Sequence, residues 1–243
     1  MNSARRNVVA FLLIGMAIIH AGEFQSGYSF DAMRGQTAFL TVKSFHDFEE
    51  SILAEYTQVG IPVKVVQSFP ASPSLRFRLL KHFSQQSIGL AFSHSGTGGR
   101  LHYADYSGSA SVDYTLSING YSLVFRTKNL GQPKFRIYQA TQLGIKTSQL
   151  ELSETFTVWE ESESEKFKVE NISYCIEPGI ELEMTIWKGI SLGIYAGADI
   201  IVYSDAFHLP GNKEAKLMFG DREPLKADWV EFQMAIKFIA ISF

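Results

Sequence analysis

The segment ISYCIEPGIELEMTIW, Ile172 to Trp187, decides the fold. Its even positions, Ile172, Tyr174, Ile176, Ile180, Leu182, Met184 and Ile186, are apolar, with Pro178 the one interruption. Its odd positions include Ser173, Glu177, Gly179, Glu181, Glu183 and Thr185. A period of two belongs to a β-strand, whose successive side chains point to opposite faces. One face is oily along its whole length and the other carries three carboxylates. Strands of ordinary globular sheets run about 5–6 residues, and membrane-crossing strands about 9–11. This alternation outlasts both. It resumes beyond Trp187-Lys188-Gly189, where Ile190, Leu192, Ile194, Ala196, Ala198, Ile200 and Val202 oppose Ser191, Gly193, Tyr195, Gly197 and Asp199.

The same signature recurs on either side. Ser87–Ser95, Leu101–Leu116, Phe135–Lys146 and Asp228–Phe243 alternate clearly, and Ser74–Phe83, Tyr121–Lys128 and Leu150–Trp159 more weakly. Tight turns are expected at Ile118-Asn119-Gly120-Tyr121, where Asn-Gly is the strongest short hairpin signal, and near Ser84-Gln85-Gln86. Longer connections are expected at Gly96–Arg100, Trp159–Lys168 and Ser204–Asp228. Either Gln36–Phe45 or Ile61–Phe69 supplies the first strand. Between them Phe45, Phe48, Ile52, Leu53 and Tyr56 follow helical spacing, which predicts a short amphipathic helix over about 44–57, with Ser44 and Asp47 resembling a capping box. These features predict an all-β fold, a closed antiparallel up-and-down transmembrane β-barrel of about ten strands, with eight to twelve allowed.

At the other end of the sequence, Arg5 and Arg6 precede an apolar run from Val8 to Ile19, followed by Ala21 and Gly22. That is the layout of a signal peptide, residues 1–21, leaving a barrel domain over 22–243. Losing those two arginines takes the formal charge from −3 to −5, which gives nucleic acid no basic surface. Charged residues make up 19% of the chain, against about 25% in soluble domains, while Phe and Tyr are plentiful at 19 and 10. With Cys175 alone, no internal disulfide is possible, and a closed hydrogen-bonded barrel is another source of stability for an exported protein.

The export signal, the long alternating strands, the asymmetric loops and the terminal Phe243 together resemble small outer-membrane β-barrel proteins of Gram-negative bacteria. The resemblance covers roughly residues 60–243 and implies an address and an architecture: outer membrane, both ends in the periplasm, contact with membrane lipid and lipopolysaccharide. Phe243 shares the odd phase of Ile239 and Ile241, whereas Val230, Phe232, Met234, Ile236 and Phe238 put the oily face on the even phase. A bulge near Lys237–Ile239 would reconcile the two.

If the polar phase faces the lumen, its charges are Arg76, Arg78, Arg126, Lys128, Lys134, Arg136 and Lys237 against Asp105, Asp113, Glu151, Glu177, Glu181, Glu183, Asp199 and Glu231. A barrel of eight to ten strands has room for side chains and little else, so an interlocked ionic network is expected, because an unpaired interior charge is costly. The Glu177/Glu181/Glu183 ladder has cation binding or acid–base chemistry as its alternative. His94 and Ser95, with His102 across the Gly-rich segment, resemble the Ser and His groups of outer-membrane lipid A deacylases. Pairing about the loop centre, however, sets both histidines on the lipid-facing phase and Ser95 on the other. No metal-ligand spacing, cofactor fingerprint or GxSxG elbow is present. The expected function is therefore a non-enzymatic interaction subunit. Phe207, Leu209, Leu217, Met218 and Phe219, in a long external loop over about 205–227, would meet other envelope proteins. A lipid A-modifying enzyme and a narrow channel are the alternatives.

Overall fold

A computed structural model of the chain describes residues 27–242, apart from 107, 133, 160, 188–189 and 220–222. The signal peptide over 1–21, the turn at Lys188-Gly189 and the terminal Phe243 lie outside the described residues. The strands are β1 Gly27–Thr41, β2 Lys64–Ser68, β3 Ser72–His82, β4 Gln86–Ala104, β5 Gly108–Gln132, β6 Phe135–Val158, β7 Glu161–Trp187 and β8 Ile190–Ser204. Four short ones follow, β9 His208–Leu209, β10 Asn212–Lys216, β11 Met218–Phe219 and β12 Glu223–Pro224, then β13 Val230–Ser242. One helix, α1, spans Lys43–Gln58.

Eight strands close into a ring, β1-β3-β4-β5-β6-β7-β8-β13 and back to β1, antiparallel throughout. The order is up-and-down, the architecture of a membrane-spanning barrel. The ends of β3, β5 and β7 and the starts of β4, β6 and β8 gather at one end, here the lower, together with the start of β1 and the end of β13. The upper end carries the two long excursions, 42–71 with α1 and β2, and 205–229 with β9–β12.

Eight strands replace the expected ten because two supposed turns are strand interior. Asn119-Gly120 sits inside β5, paired with His94 and Ser93 on one side and Thr147 and Lys146 on the other. Gly96–Arg100 runs straight through β4, and residues 161–168 belong to β7 rather than to a loop. What looks like a turn is an inversion of faces. Along the lower part of β5 the outward residues are Tyr121, Leu123 and Phe125, and Arg126 points inward. Above Gly120 the outward residues become Ser109, Ser111, Asp113, Thr115 and Ser117, and the buried ones Val112, Tyr114, Leu116 and Ile118. β6 changes at the same row, from outward Leu143 and Ile145 to Thr147, Gln149 and Glu151. A strand in lipid must show its oily side outward, and one in water must turn it in. The phase of side chains is constant; the solvent is what changes.

The upper storey therefore has an ordinary apolar core. Phe45, Phe48, Ile52 and Tyr56 of α1 pack with Leu101, Val112, Tyr114, Leu116, Leu150, Leu152 and Val169 of the strands and with Phe207, Leu225 and Trp229 of the last excursion. Phe45 is fully buried, with edge-on rings at 5.0 Å (Phe69), 5.5 Å (Trp229) and 5.8 Å (Phe207). Gly99 faces the Tyr114 ring so closely that a Cβ would collide with it, which explains a glycine at an inward position. The expected Ser44/Asp47 capping box does not form. Instead Asp228, from the far end of the chain, accepts from the Ser44 N–H (3.2 Å) and the Ser44 hydroxyl (2.7 Å) at the start of α1. The bulge expected near Lys237–Ile239 is present: Ala32 pairs with Ile239 and Met33 with Lys237, leaving one extra β13 residue between them.

Candidate functional site

Two features remain once the scaffold is in place, a filled lumen in the lower storey and an exposed rim in the upper. In the lumen, inward positions of β1, β3, β5, β6, β7, β8 and β13 bring six cations, Arg76, Arg78, Arg126, Arg136, Lys146 and Lys237, against six carboxylates, Asp31, Glu177, Glu181, Glu183, Asp199 and Glu231.

They stack in tiers. In the lowest, Arg78 Nη2 donates to Asp31 and Glu181, each at 2.7 Å, and Arg126 Nη1 donates to Glu181 at 2.9 Å. Lys237 bridges Glu181 and Glu183, and Arg136 approaches Glu183 at 3.5 Å. In the middle tier Arg76 grips Glu177 with both terminal nitrogens at 2.8 Å, and the Tyr195 hydroxyl donates to the same carboxylate at 2.6 Å. Gln142 in turn donates to Tyr195 at 3.1 Å. In the top tier Lys146 lies between Asp199 (2.9 Å) and Glu231 (2.5 Å). Trp229 joins the storeys: its indole body belongs to the apolar core, while its N–H donates to Glu231 at 2.8 Å. Buried charge is tolerated here because each group has a partner of opposite sign at hydrogen-bond distance.

Of the fifteen charged residues expected to face the lumen, Arg76, Arg78, Arg126, Arg136, Lys237, Glu177, Glu181, Glu183, Asp199 and Glu231 join the tiers, and Lys128 is half-buried near the end of β5. Lys134 stands exposed in the β5–β6 turn, and Asp105, Asp113 and Glu151 also lie outside the lumen. Asp113 faces outward above the inversion and pairs with Arg100 at 2.5 Å. Asp105 lies in the β4–β5 turn, bonded to the Gly108 N–H and the Tyr103 hydroxyl. Glu151 pairs outside with Lys168 at 2.8 Å. Asp31 had no place among the predicted charges because the first strand was expected at 36–45 or 61–69. The alternation of Ser29, Asp31 and Met33 with Tyr28, Phe30 and Ala32 is the signal that finds it.

His94, Ser95 and His102 are not brought together. All three lie on β4, with the histidines eight positions apart on its outward face. At about 3.3 Å per residue that separates them by roughly 26 Å. Ser95 is buried on the opposite face, and His94 Nδ1 is engaged at 2.8 Å by Asn119. The last excursion is also less open than expected. Phe207 is fully buried and Leu217 packs against the upper core, leaving Leu209 and Met218 exposed. Phe219 pairs through its backbone with Glu223.

No family model and no curated protein sequence matches the chain. Among solved structures, the fold matches Neisserial surface protein A with a TM-score of 0.46 and 8% identity, over 90% of this chain and 97% of that one. Ail, the attachment invasion locus protein of Yersinia pestis, matches in complex with the heparin analogue sucrose octasulfate at a TM-score of 0.34 and 12% identity, over 90% of this chain and 100% of that one. A second Ail structure matches at 0.32 and 10%, with the same coverage.

Proposed function

We propose that this chain is a non-enzymatic barrel of the outer membrane that holds a recognition surface above the lipid for other envelope components. The observation that carries this reading is the upper storey. Strands β4 to β7 continue about ten residues past the row where the outward face turns polar, and enclose an apolar core of their own. Anchoring needs only the lower storey, since about 9–11 residues per strand suffice to cross. A second core, fed by a helix and by both long excursions, is surplus to that task and is suited to presenting a fixed surface. The ionic tiers below and the aromatic packing above fill the interior, which speaks against conduction.

Native extraction from outer membranes in mild detergent, followed by sizing and mass spectrometry of co-eluting species, tests the proposal. A large assembly containing a second protein is the expected result. Elution of the barrel alone with lipopolysaccharide would overturn it.

A further inference from the structure

The upper sheet has an edge that the ring leaves open. Up to Ser173, β7 is flanked by β6 and by β8, which ends opposite it at Ser204. Glu170 then meets His208 of β9. From Glu161 to Val169, among the described residues, β7 pairs with β6 alone. Such an edge leaves alternate backbone N–H and C=O groups without a neighbouring strand, a template for another chain. No proline or bulge interrupts this one; it is guarded by charge.

The charge has one sign at the tip. Glu161, Glu163 and Glu165 share one face of β7, all exposed, and Glu154 of β6 is paired directly opposite Glu165. The Glu154 carboxyl is pushed above its ordinary range by partial burial and then by Glu55 and Glu165, so this face is crowded with negative charge. The two lysines of the edge, Lys166 and Lys168, lie on the other face, and Lys168 is taken by Glu151. Beside the acids stands an anchor. Trp159 is 77% exposed and held at φ 56°, in the left-handed region that a bulky residue rarely enters. Val158 next to it is exposed, and the neighbouring hairpin, joined through the Gly108–Val158 pair, presents Tyr106 at 94% exposure.

Resting on the reading of the upper storey as a recognition surface, we infer that Glu161–Val169 is a docking edge for an extended basic segment of a partner protein. The segment adds as a strand beside β7, sets Lys or Arg side chains against Glu161, Glu163 and Glu165, and packs an apolar residue on Trp159. A second copy of this chain is disfavoured, because its own edge would bring glutamate against glutamate. Anionic lipopolysaccharide is disfavoured for the same reason.

The test uses the full chain in lipid nanodiscs and a labelled twelve-residue peptide of alternating Lys and Thr ending in Leu, read by fluorescence anisotropy at low and high salt and by amide hydrogen exchange. Saturable, salt-sensitive binding is expected, with exchange slowed at alternate amides of 161–169. The triple variant Glu161→Gln, Glu163→Gln, Glu165→Gln should weaken binding at least about tenfold, and Trp159→Ala by several-fold, while both keep SDS-resistant folded mobility at room temperature. Unchanged affinity in the triple variant, binding without slowed exchange in 161–169, or no binding at low salt would each overturn the edge. If the peptide fails while native sizing still finds a partner, the edge falls and the broader proposal stands. Peptide capture with no native assembly keeps the edge and overturns the broader proposal.

Discussion

Arg78 reaches Asp31 and Glu181 at once, from a side chain with no exposed surface. Replacing it by Met would leave Asp31 with no cation nearer than Lys237 (3.7 Å) and Arg126 (4.0 Å). Losing one partner of a buried pair costs about 3–5 kcal/mol, so Arg78→Met should lower the urea midpoint of the folded band in lipid vesicles far more than Lys134→Met in the exposed β5–β6 turn. A second residue ties the upper storey to pH. Burial raises the Glu49 carboxyl above its ordinary 4.5, against the lowering pulls of Ser68, which donates to it at 3.0 Å, and of His46. A carboxyl that protonates more readily when folded takes up protons on folding, so its contribution is most favourable at low pH and declines as pH rises from the unfolded value through the raised one. Glu49→Gln should therefore stabilise the packing of α1 at neutral pH and make no difference below about pH 4, as read by urea titration of Trp229 fluorescence.

Single elements carry the inversion, and β5 isolates it. Leu123 and Thr115 share the outward phase of one strand, on opposite sides of the row at Gly120. Leu123→Arg should cost about 2–4 kcal/mol in a folding titration in lipid, whereas Thr115→Arg should cost well under 1. Equal effects would place the lipid boundary elsewhere. At the start of α1, Asp228→Ala should cost about 1 kcal/mol and speed exchange of the Ser44 amide, because the cap comes from 184 residues away. That cap was illegible in the sequence, where Asp47 looked like the nearer candidate. The strand pattern of Ile172–Trp187 and Ile190–Val202 was legible because β7 and β8 lie in lipid there and one phase of each stays oily, Pro178 apart. Asn119-Gly120 misled for a physical reason: the oily phase ends on one side of it and begins on the other, and a change of solvent mimics a change of direction. The same inversion hid the true facing of Asp113 and Glu151, whose positions follow the phase but not the environment of the lumen strands.

At the scale of the whole molecule, lower and upper interiors solve the same packing problem with opposite materials. Ion pairs fill the barrel where the outside is oil, and aromatic rings fill it where the outside is water. Planar-bilayer recording should accordingly show no steady conductance, and an Arg76→Ala, Glu177→Ala double variant is the place where a leak would first open. The eight-strand ring lay within the range that alternation alone allowed, but its number depended on knowing where each strand leaves the membrane.

The strands above the inversion also set a height. Eleven residues of β6, from Ser148 to Val158, rise beyond it, about 35 Å along the strand and about three-quarters of that along the membrane normal at a tilt near 40°. Headgroups occupy only about 5–7 Å on each side of the hydrocarbon. The hairpin tips bearing Tyr106 and Trp159 thus stand clear of the lipid like the top of a mast, where a soluble macromolecule can reach them without touching the membrane.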